Sequence, residues 1–151
     1  MWTIPIIHGP NLNLTGAREP SVYGNQTFEH FFEELVIEFP NLKLSHHQSN
    51  LEGQLVDWLH FYRNSADAII LNPAAYTHTS IAIRDAVAAL KIPVIELHIS
   101  ALHTREDFRK QSLIKELCLF NIQGFGLNGY RMALARLSEF LDADSLIPAY
   151  K

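Results

Sequence analysis

The sequence contains a single cysteine, Cys118, among its 151 residues. One cysteine leaves no partner for a disulfide within the chain, and it is too few for a cysteine-based zinc site. Cys118 stands in the apolar run Leu117-Cys118-Leu119-Phe120, which is typical of the interior of a protein. We therefore interpret it as a buried and unreactive thiol.

Long hydrophobic runs are also missing. No apolar run reaches the roughly 18 residues that a membrane-spanning helix needs. The first residues, Met1-Trp2-Thr3-Ile4, contain no basic segment of the kind that opens a secretion signal. These two observations predict a cytoplasmic protein that has no membrane partner.

An excess of basic residues is missing as well. The formal net charge is -4 at pH 7, and the Lys and Arg residues are scattered along the chain. Proteins that bind a nucleic-acid backbone generally collect their basic residues in one patch or stripe. We therefore expect no nucleic-acid partner.

The chain shows no internal repeat, no low-complexity segment and no long block of one charge. Its composition, 48% hydrophobic and 19% charged, is that of a globular domain with a substantial core. The length suits one domain better than two. We predict a single catalytic domain over residues 1–151.

Short β-rich runs alternate with segments of helical period, which is typical of an α/β fold. The predicted strands are residues 3–8, 42–48, 68–72, 93–98 and 117–123. Most of these runs are almost uninterrupted apolar sequence, as expected for parallel strands that are covered on both faces. The pattern predicts a flavodoxin-like, doubly wound, five-stranded parallel sheet with helices on both faces.

Apolar residues recur at helical spacing in the segments between the strands. The stripes are Phe28, Phe32, Leu35 and Phe39; Leu51, Leu55, Trp58 and Tyr62; Ile83, Val87 and Leu90; and Tyr130, Leu134, Leu137 and Leu141. Ser80 is placed to cap the third helix, and Pro93 stops it. The aromatic residues in these stripes are interpreted as core rather than as a cofactor site.

The loops that follow the first, third and fourth predicted strands are unusually polar. Ligands of open α/β sheets bind beyond the carboxyl ends of the strands, so these loops are where chemistry is expected. The loops comprise residues 8–24, residues 72–80, and residues 96–100 with Arg105 and Arg109 after them. Taken singly, their residues have ordinary interpretations: the histidines as packed residues, and Arg105 and Arg109, one helical turn apart, as one solvated helix face.

The motifs occur in a fixed order along the chain. They are Gly9-Pro10-Asn11-Leu12-Asn13, Arg18-Glu19-Pro20 with Tyr23-Gly24, Asn72-Pro73 with Thr77-His78-Thr79-Ser80, and Glu96 with His98-Ile99-Ser100. This series resembles the type II 3-dehydroquinate dehydratases over nearly the whole chain. The resemblance implies conversion of 3-dehydroquinate to 3-dehydroshikimate, in the shikimate pathway or in quinate catabolism. It also implies that no cofactor or metal is used and that the protein is a homododecamer built from trimers.

The resemblance also implies catalytic roles. Tyr23 is the general base that removes the proton beside the ketone, and Arg18 stabilises its phenolate. Asn11 holds a water against the enolate oxygen, and His98 protonates the departing hydroxyl. Glu96 lies two residues before His98 on the same strand face, where it could orient or charge the imidazole.

Further residues are implied as contacts to the hydroxyl and carboxylate groups of the substrate. They are Asn72, His78, Asp85 and Arg109, with the backbone amides of Ile99 and Ser100. The sequence departs from the family pattern at Ala74, where a glycine is usual, and at Ala101, where an asparagine is usual. We expect strain at Ala74 if that turn requires a positive φ.

Three other functions are alternatives to this one. A metal-dependent hydrolase would use ligands drawn from His78, Asp85, Glu96, His98 and His103. The sequence has no His-Glu-x-x-His motif or comparable spacing to support it. An inactive flavodoxin-like binding paralogue is the non-enzymatic alternative. The other class of dehydroquinate dehydratase, which forms a Schiff base on a (β/α)₈ barrel, requires a longer chain.

Overall fold

A computed structural model describes residues 1–16 and 26–146 of the chain. The strands and helices follow one another as β1 Trp2–His8, α1 Phe28–Glu38, β2 Leu42–Gln48, α2 Glu52–Tyr62, β3 Ile69–Asn72, α3 Ile81–Ala88, β4 Val94–His98, β5 Phe120–Gln123 and α4 Asn128–Leu146. Short 3₁₀ turns lie in the loops at Leu12–Leu14, Ala74–His78, Leu102–Thr104, Asp107–Arg109 and Lys115–Leu117. Within the described residues, no helix combines the length and the apolar character needed to cross a membrane.

The five strands form one parallel sheet in the order β2-β1-β3-β4-β5. The predicted flavodoxin-like topology is therefore confirmed. The strand order reverses beside β1, so the connections after β1 and β3 leave the sheet toward opposite faces. A crevice opens between them at the carboxyl ends of the strands, as the topology requires.

Each face of the sheet carries its own core, because successive side chains on a strand point to opposite sides. Ile4 and Ile6 of β1 pack in one cluster with residues of α1 and α4. Ile7 belongs to a second cluster with residues of α2 and α3. Helices therefore cover both faces, as predicted for a doubly wound sheet.

The predicted stripe is right for the last helix and partly right for α3. Ile83 and Val87 are buried, but α3 ends at Ala88, before the predicted Leu90 and well short of Pro93. Tyr130, Leu134, Leu137 and Leu141 of α4 are all buried. At the start of α3, the Ser80 hydroxyl accepts a hydrogen bond from the backbone N–H of Ile83 at 2.9 Å, which is the predicted cap.

The stripes of the first two helices are partly wrong. Leu51 is 69% exposed, because it precedes α2 and does not take part in its apolar face, which buries Leu55, Leu59 and Tyr62. In α1, Phe31 is fully buried, whereas the predicted Phe32 lies at the margin of the core.

Three other expectations need correction between β4 and β5. Strand β5 begins at Phe120 rather than at residue 117, because Lys115–Leu117 forms a 3₁₀ turn before it. Arg105 and Arg109 do not share one α-helical face, since Arg105 precedes the short turn Asp107–Arg109. Cys118 is only partly buried, although burial still raises the pKa of its thiol to about 12.

Candidate active site

A cleft of about 160 Å³ lies beyond the carboxyl ends of β1, β3 and β4. The loops that follow these three strands form its walls, as expected from the position of the crevice in this topology. Predicted site residues that line the cleft are Asn11, Asn72, His78, His98, Ile99, Ser100 and Arg109. The fold therefore brings together residues that are up to about 100 positions apart in the sequence.

The loops after β1 and β3 touch each other at the back of the cleft. The backbone N–H of Gly9 donates to the carbonyl of Asn72 at 2.8 Å. A Cβ atom at Gly9 would lie 2.4 Å from the carbonyl oxygen of Pro73, so only glycine permits this approach. Because the two loops meet here, Asn11 and Asn72 both line the same cleft.

Ala74 stands in this wall with a φ of 51°. The turn therefore does have a positive φ at Ala74, which was the condition for the expected strain. A residue with a side chain is strained in this backbone conformation. The Ala74 N–H donates to the side-chain oxygen of Asn72 at 3.2 Å, which ties the strained turn to that side chain.

His98 lines the cleft and is paired with Glu96, a predicted site residue that is fully buried and does not itself line the cleft. Nε2 of His98 lies 2.7 Å from Oε1 of Glu96, and the two side chains are 5% and 0% exposed. They project from the same face of β4 because they are two residues apart. The contact expected from their spacing is present.

Glu96 is held by further donors besides His98. Its carboxylate accepts hydrogen bonds from the Thr77 hydroxyl at 2.5 Å, the Ser112 hydroxyl at 2.7 Å and the Asn121 amide at 2.6 Å. Burial raises the pKa of Glu96, but the hydrogen bonds from His98, Thr77 and Ser112 outweigh that effect and leave the pKa below its ordinary value.

The charge of Glu96 decides which ring nitrogen of His98 carries a proton. An ionised carboxylate only accepts hydrogen bonds, so Nε2 of His98 must be the donor. Nδ1 is then the nitrogen that remains for the cleft, which His98 lines. The ring is thus oriented by Glu96 and can exchange a proton with a ligand through Nδ1.

One wall of the cleft carries positive groups. Nε of Arg109 is buried and makes no hydrogen bond within residues 1–16 and 26–146, although it lies 3.5 Å from a carboxylate oxygen of Glu106. Arg105 also lines the cleft and donates to the Ser100 hydroxyl at 2.9 Å. His78 donates from Nδ1 to the Gln111 carbonyl at 2.6 Å. This wall is suited to a small anion.

Some predicted site residues are not found in the cleft. Asp85 is exposed on α3 and does not line it. Arg18 and Tyr23 fall in residues 17–25, outside the described residues. Across the part of the chain that is described, no three His, Cys, Asp or Glu side chains form a group that could hold a metal ion.

Two further residues, Asn121 and Ser112, hold Glu96 and were not predicted from the sequence. Asn121 faces Glu96 because β5 pairs with β4 in a register that opposes these two positions. That neighbour follows from the strand order, which periodicity alone does not give. Ser112 comes from an irregular loop and carries no sequence pattern that would link it to Glu96.

Comparison with known proteins agrees with this geometry. The family model for dehydroquinase class II matches residues 2–138. The chain belongs to the class II dehydroquinase family. The match extends across all five strands and every described cleft residue.

Relatives of this class II dehydroquinase are found among both enzymes and solved structures. It is 45% identical to 3-dehydroquinate dehydratase 2 of Pseudomonas aeruginosa, over 93% of this chain and 97% of that protein. It is 48% identical to catabolic 3-dehydroquinase 1 of Fusarium vanettenii, over 87% and 93% of the two chains. The crystal structure of type II dehydroquinase from Butyrivibrio crossotus superposes with a TM-score of 0.87 at 41% identity, covering 91% and 97%.

Proposed function

We propose that this protein is a hydro-lyase that converts 3-dehydroquinate to 3-dehydroshikimate. The observation that carries the proposal is the buried His98–Glu96 pair, with a 2.7 Å contact, in which His98 lines a cleft that has a cationic wall. A proton donor held by a fixed carboxylate suits the expulsion of a hydroxyl group. Family membership and the names of the relatives support this choice of substrate.

The proposed reaction breaks one C–H bond and one C–O bond and forms one C=C bond. Tyr23, as the phenolate, takes the proton from the carbon beside the ketone and leaves an enolate. The enolate then forms the double bond and expels the hydroxyl, which leaves as water with a proton from His98. Transfer of the proton from Tyr23 back to His98, through solvent, restores the starting state.

Tyr23 and Arg18 enter this mechanism through the family likeness, since residues 2–138 match and both positions lie within them. A nearby guanidinium favours the phenolate form of a tyrosine, which an unperturbed side chain hardly populates at neutral pH. Asn11 is proposed to hold a water against the enolate oxygen, and its place in the wall of the cleft is compatible with that role.

The substrate carboxylate is proposed to bind at the backbone amides of Ile99 and Ser100 and near Arg109. The buried Nε of Arg109, which makes no hydrogen bond within the described residues, supports its use by a ligand. Asn72 and His78 are proposed to contact the substrate hydroxyl groups, because both line the same cleft. These roles suit a small anion that carries several hydroxyl groups.

Asp85 bears on the proposed oligomer. It does not line the cleft of its own chain, so it can touch substrate only where α3 of a second copy meets that cleft. We propose a cytoplasmic homododecamer built from trimers, in which Asp85 of one copy contacts the substrate in the cleft of a second copy.

Size-exclusion chromatography with light scattering should give twelve times the chain mass of 17.2 kDa. A monomer would contradict both the assembly and the role of Asp85.

The proposed reaction can be tested with the purified protein and 3-dehydroquinate. We expect ultraviolet absorbance from the enone product to rise with the wild type, and the rate to fall at least about a hundredfold in Tyr23→Phe, since general acid–base groups contribute on this scale. Borohydride added with substrate should leave the activity unchanged, because no Schiff base forms. A folded wild type without turnover would indicate a binding paralogue, and an active Tyr23→Phe would refute the tyrosinate mechanism.

A further inference from the structure

A row of hydrogen-bonded side chains runs under the cleft, from Asn72 through the core to β2. The Asn72 amide nitrogen lies 3.2 Å from the Tyr130 hydroxyl, and that hydroxyl lies 2.7 Å from Nε2 of His8. Nδ1 of His8 then lies 3.1 Å from Nε2 of His46. Asn72, Tyr130 and His8 are almost completely buried, and only Asn72 of these three lines the cleft.

One backbone group fixes the direction of every hydrogen bond in this row. The Ala74 N–H can only donate, so the Asn72 atom that faces it must be the oxygen. The NH₂ group of Asn72 therefore points to Tyr130 and donates to its hydroxyl. Tyr130 must in turn donate to Nε2 of His8, so the proton of His8 is on Nδ1 and is donated to His46.

This order requires that both histidines be neutral. Burial lowers the pKa of His8 well below its ordinary value, and His46 beside it acts in the same direction. Burial also lowers the pKa of His46, to about 4. Burial raises the pKa of Tyr130, which keeps its hydroxyl proton in place as a donor. All four side chains of the row are therefore neutral, and every hydrogen bond is donated in the same sense, from Asn72 toward His46.

We infer that His8 and Tyr130 are positioning residues that hold the Asn72 amide with its NH₂ group available to the substrate. This inference rests on the proposed function, because it concerns how Asn72 meets the substrate. Asn72 has two amide hydrogens, and Tyr130 accepts only one of them. The other is left for an acceptor in the cleft, such as a hydroxyl or carboxylate oxygen.

Replacement of His8 by leucine should disturb the Asn72 amide. The Tyr130 hydroxyl would lose its acceptor, so its proton is free to turn toward the NH₂ group of Asn72 and to oppose it. The Ala74 N–H resists a flip of the amide, so the NH₂ group is displaced from the position in which it meets the substrate. In His8→Gln, by contrast, the side-chain oxygen can still accept from Tyr130, so this variant should retain the amide orientation.

The test compares KM and kcat for 3-dehydroquinate in His8→Leu, His8→Gln and Tyr130→Phe. We expect KM to rise about tenfold in His8→Leu and several-fold in Tyr130→Phe, the scale of one hydrogen bond to a ligand. KM should stay within about twofold of the wild type in His8→Gln, and kcat should change much less than KM in every variant. Tyr62→Phe is the matched control, because it removes a tyrosine hydroxyl bonded to His47 at 2.6 Å, in the other core cluster.

A double-mutant cycle separates positioning from a general structural role. In an Asn72→Ala background, Tyr130→Phe should have no further effect on KM, because the residue through which it acts is gone. Additive effects, or equal losses in His8→Gln and His8→Leu, would overturn the inference. If the wild type binds 3-dehydroquinate without turnover, the proposed function fails, and the same comparison made with dissociation constants decides the inference. Absence of binding would overturn both.

Discussion

Glu96 is the residue that orients His98 in the structure. It is fully buried, and its carboxylate accepts from a histidine, two hydroxyls and an amide. In Glu96→Gln, the new NH₂ group would face one of these donors, and the hydrogen bond that orients His98 would be weakened. We expect kcat to fall at least about tenfold with a smaller change in KM. Glu116→Gln, at an exposed position, is the control, and equal kcat values for the two variants would contradict the role.

Ala74 offers a test of backbone strain. Its φ of 51° costs an L-residue on the order of 1–2 kcal/mol, whereas glycine adopts this conformation freely. The greater freedom of glycine in the unfolded chain offsets part of that gain. We expect Ala74→Gly to raise the free energy of unfolding by up to about 1 kcal/mol and Ala75→Gly, which has no positive φ, to lower it. Thermal melting of both variants checks this, and destabilisation by Ala74→Gly would refute the strain.

The spacing of site residues within one strand was predictable, but contacts across strands were not. Glu96 and His98 could be paired from sequence because alternate residues of a strand share a face. Asn121 and Ser112 could not be linked to Glu96, since their approach depends on strand order and on an irregular loop. The row that joins Asn72 to His46 also joins three strands and a helix, and no local pattern predicts such a contact.

At the scale of elements, α3 depends on its N-terminal cap. The Ser80 hydroxyl is buried and accepts from the Ile83 N–H at 2.9 Å, so its removal leaves a buried donor without its partner. We expect Ser80→Ala to lower the free energy of unfolding by about 1 kcal/mol. Ser80→Thr keeps an acceptor oxygen and should lose less. Denaturant titration measures both, and equal losses would show that packing rather than capping matters at this position.

The elements themselves were largely predictable, and the errors have physical reasons. The stripe of α4 is correct because a long amphipathic helix repeats its apolar face several times. Leu51 was assigned wrongly because a single apolar residue before a helix fits the same spacing without belonging to the buried face. The start of β5 was placed too early because an apolar run does not distinguish a 3₁₀ turn from a strand.

At the scale of the whole molecule, the buried histidines make stability depend on pH. His46 has a pKa lowered from 6.5 to about 4, chiefly by burial, with Glu29 opposing the shift and His47 adding to it. His8 is lowered as well. The unfolded chain therefore binds more protons than the folded chain below pH 6.5, so stability falls as the pH falls from 6.5 toward 4.

His8 contributes a loss on the order of 2 kcal/mol between pH 7 and pH 5, and His46, which is partly exposed, contributes less. This window lies above the ordinary pKa of carboxylates, so the loss can be assigned to the histidines. Denaturant titrations at pH 7, 6 and 5 measure it. In His46→Gln the slope should be shallower, and a variant whose stability depends on pH as steeply as the wild type would contradict the assignment.

The most direct test of the whole account is the rate of enone formation from 3-dehydroquinate by the wild type beside His98→Ala. The account predicts rapid formation by the wild type and a loss of at least about a hundredfold in kcat for the variant, in protein that circular dichroism shows to be folded. Comparable rates in the two proteins would contradict the assignment of the buried His98–Glu96 pair as the centre of the reaction.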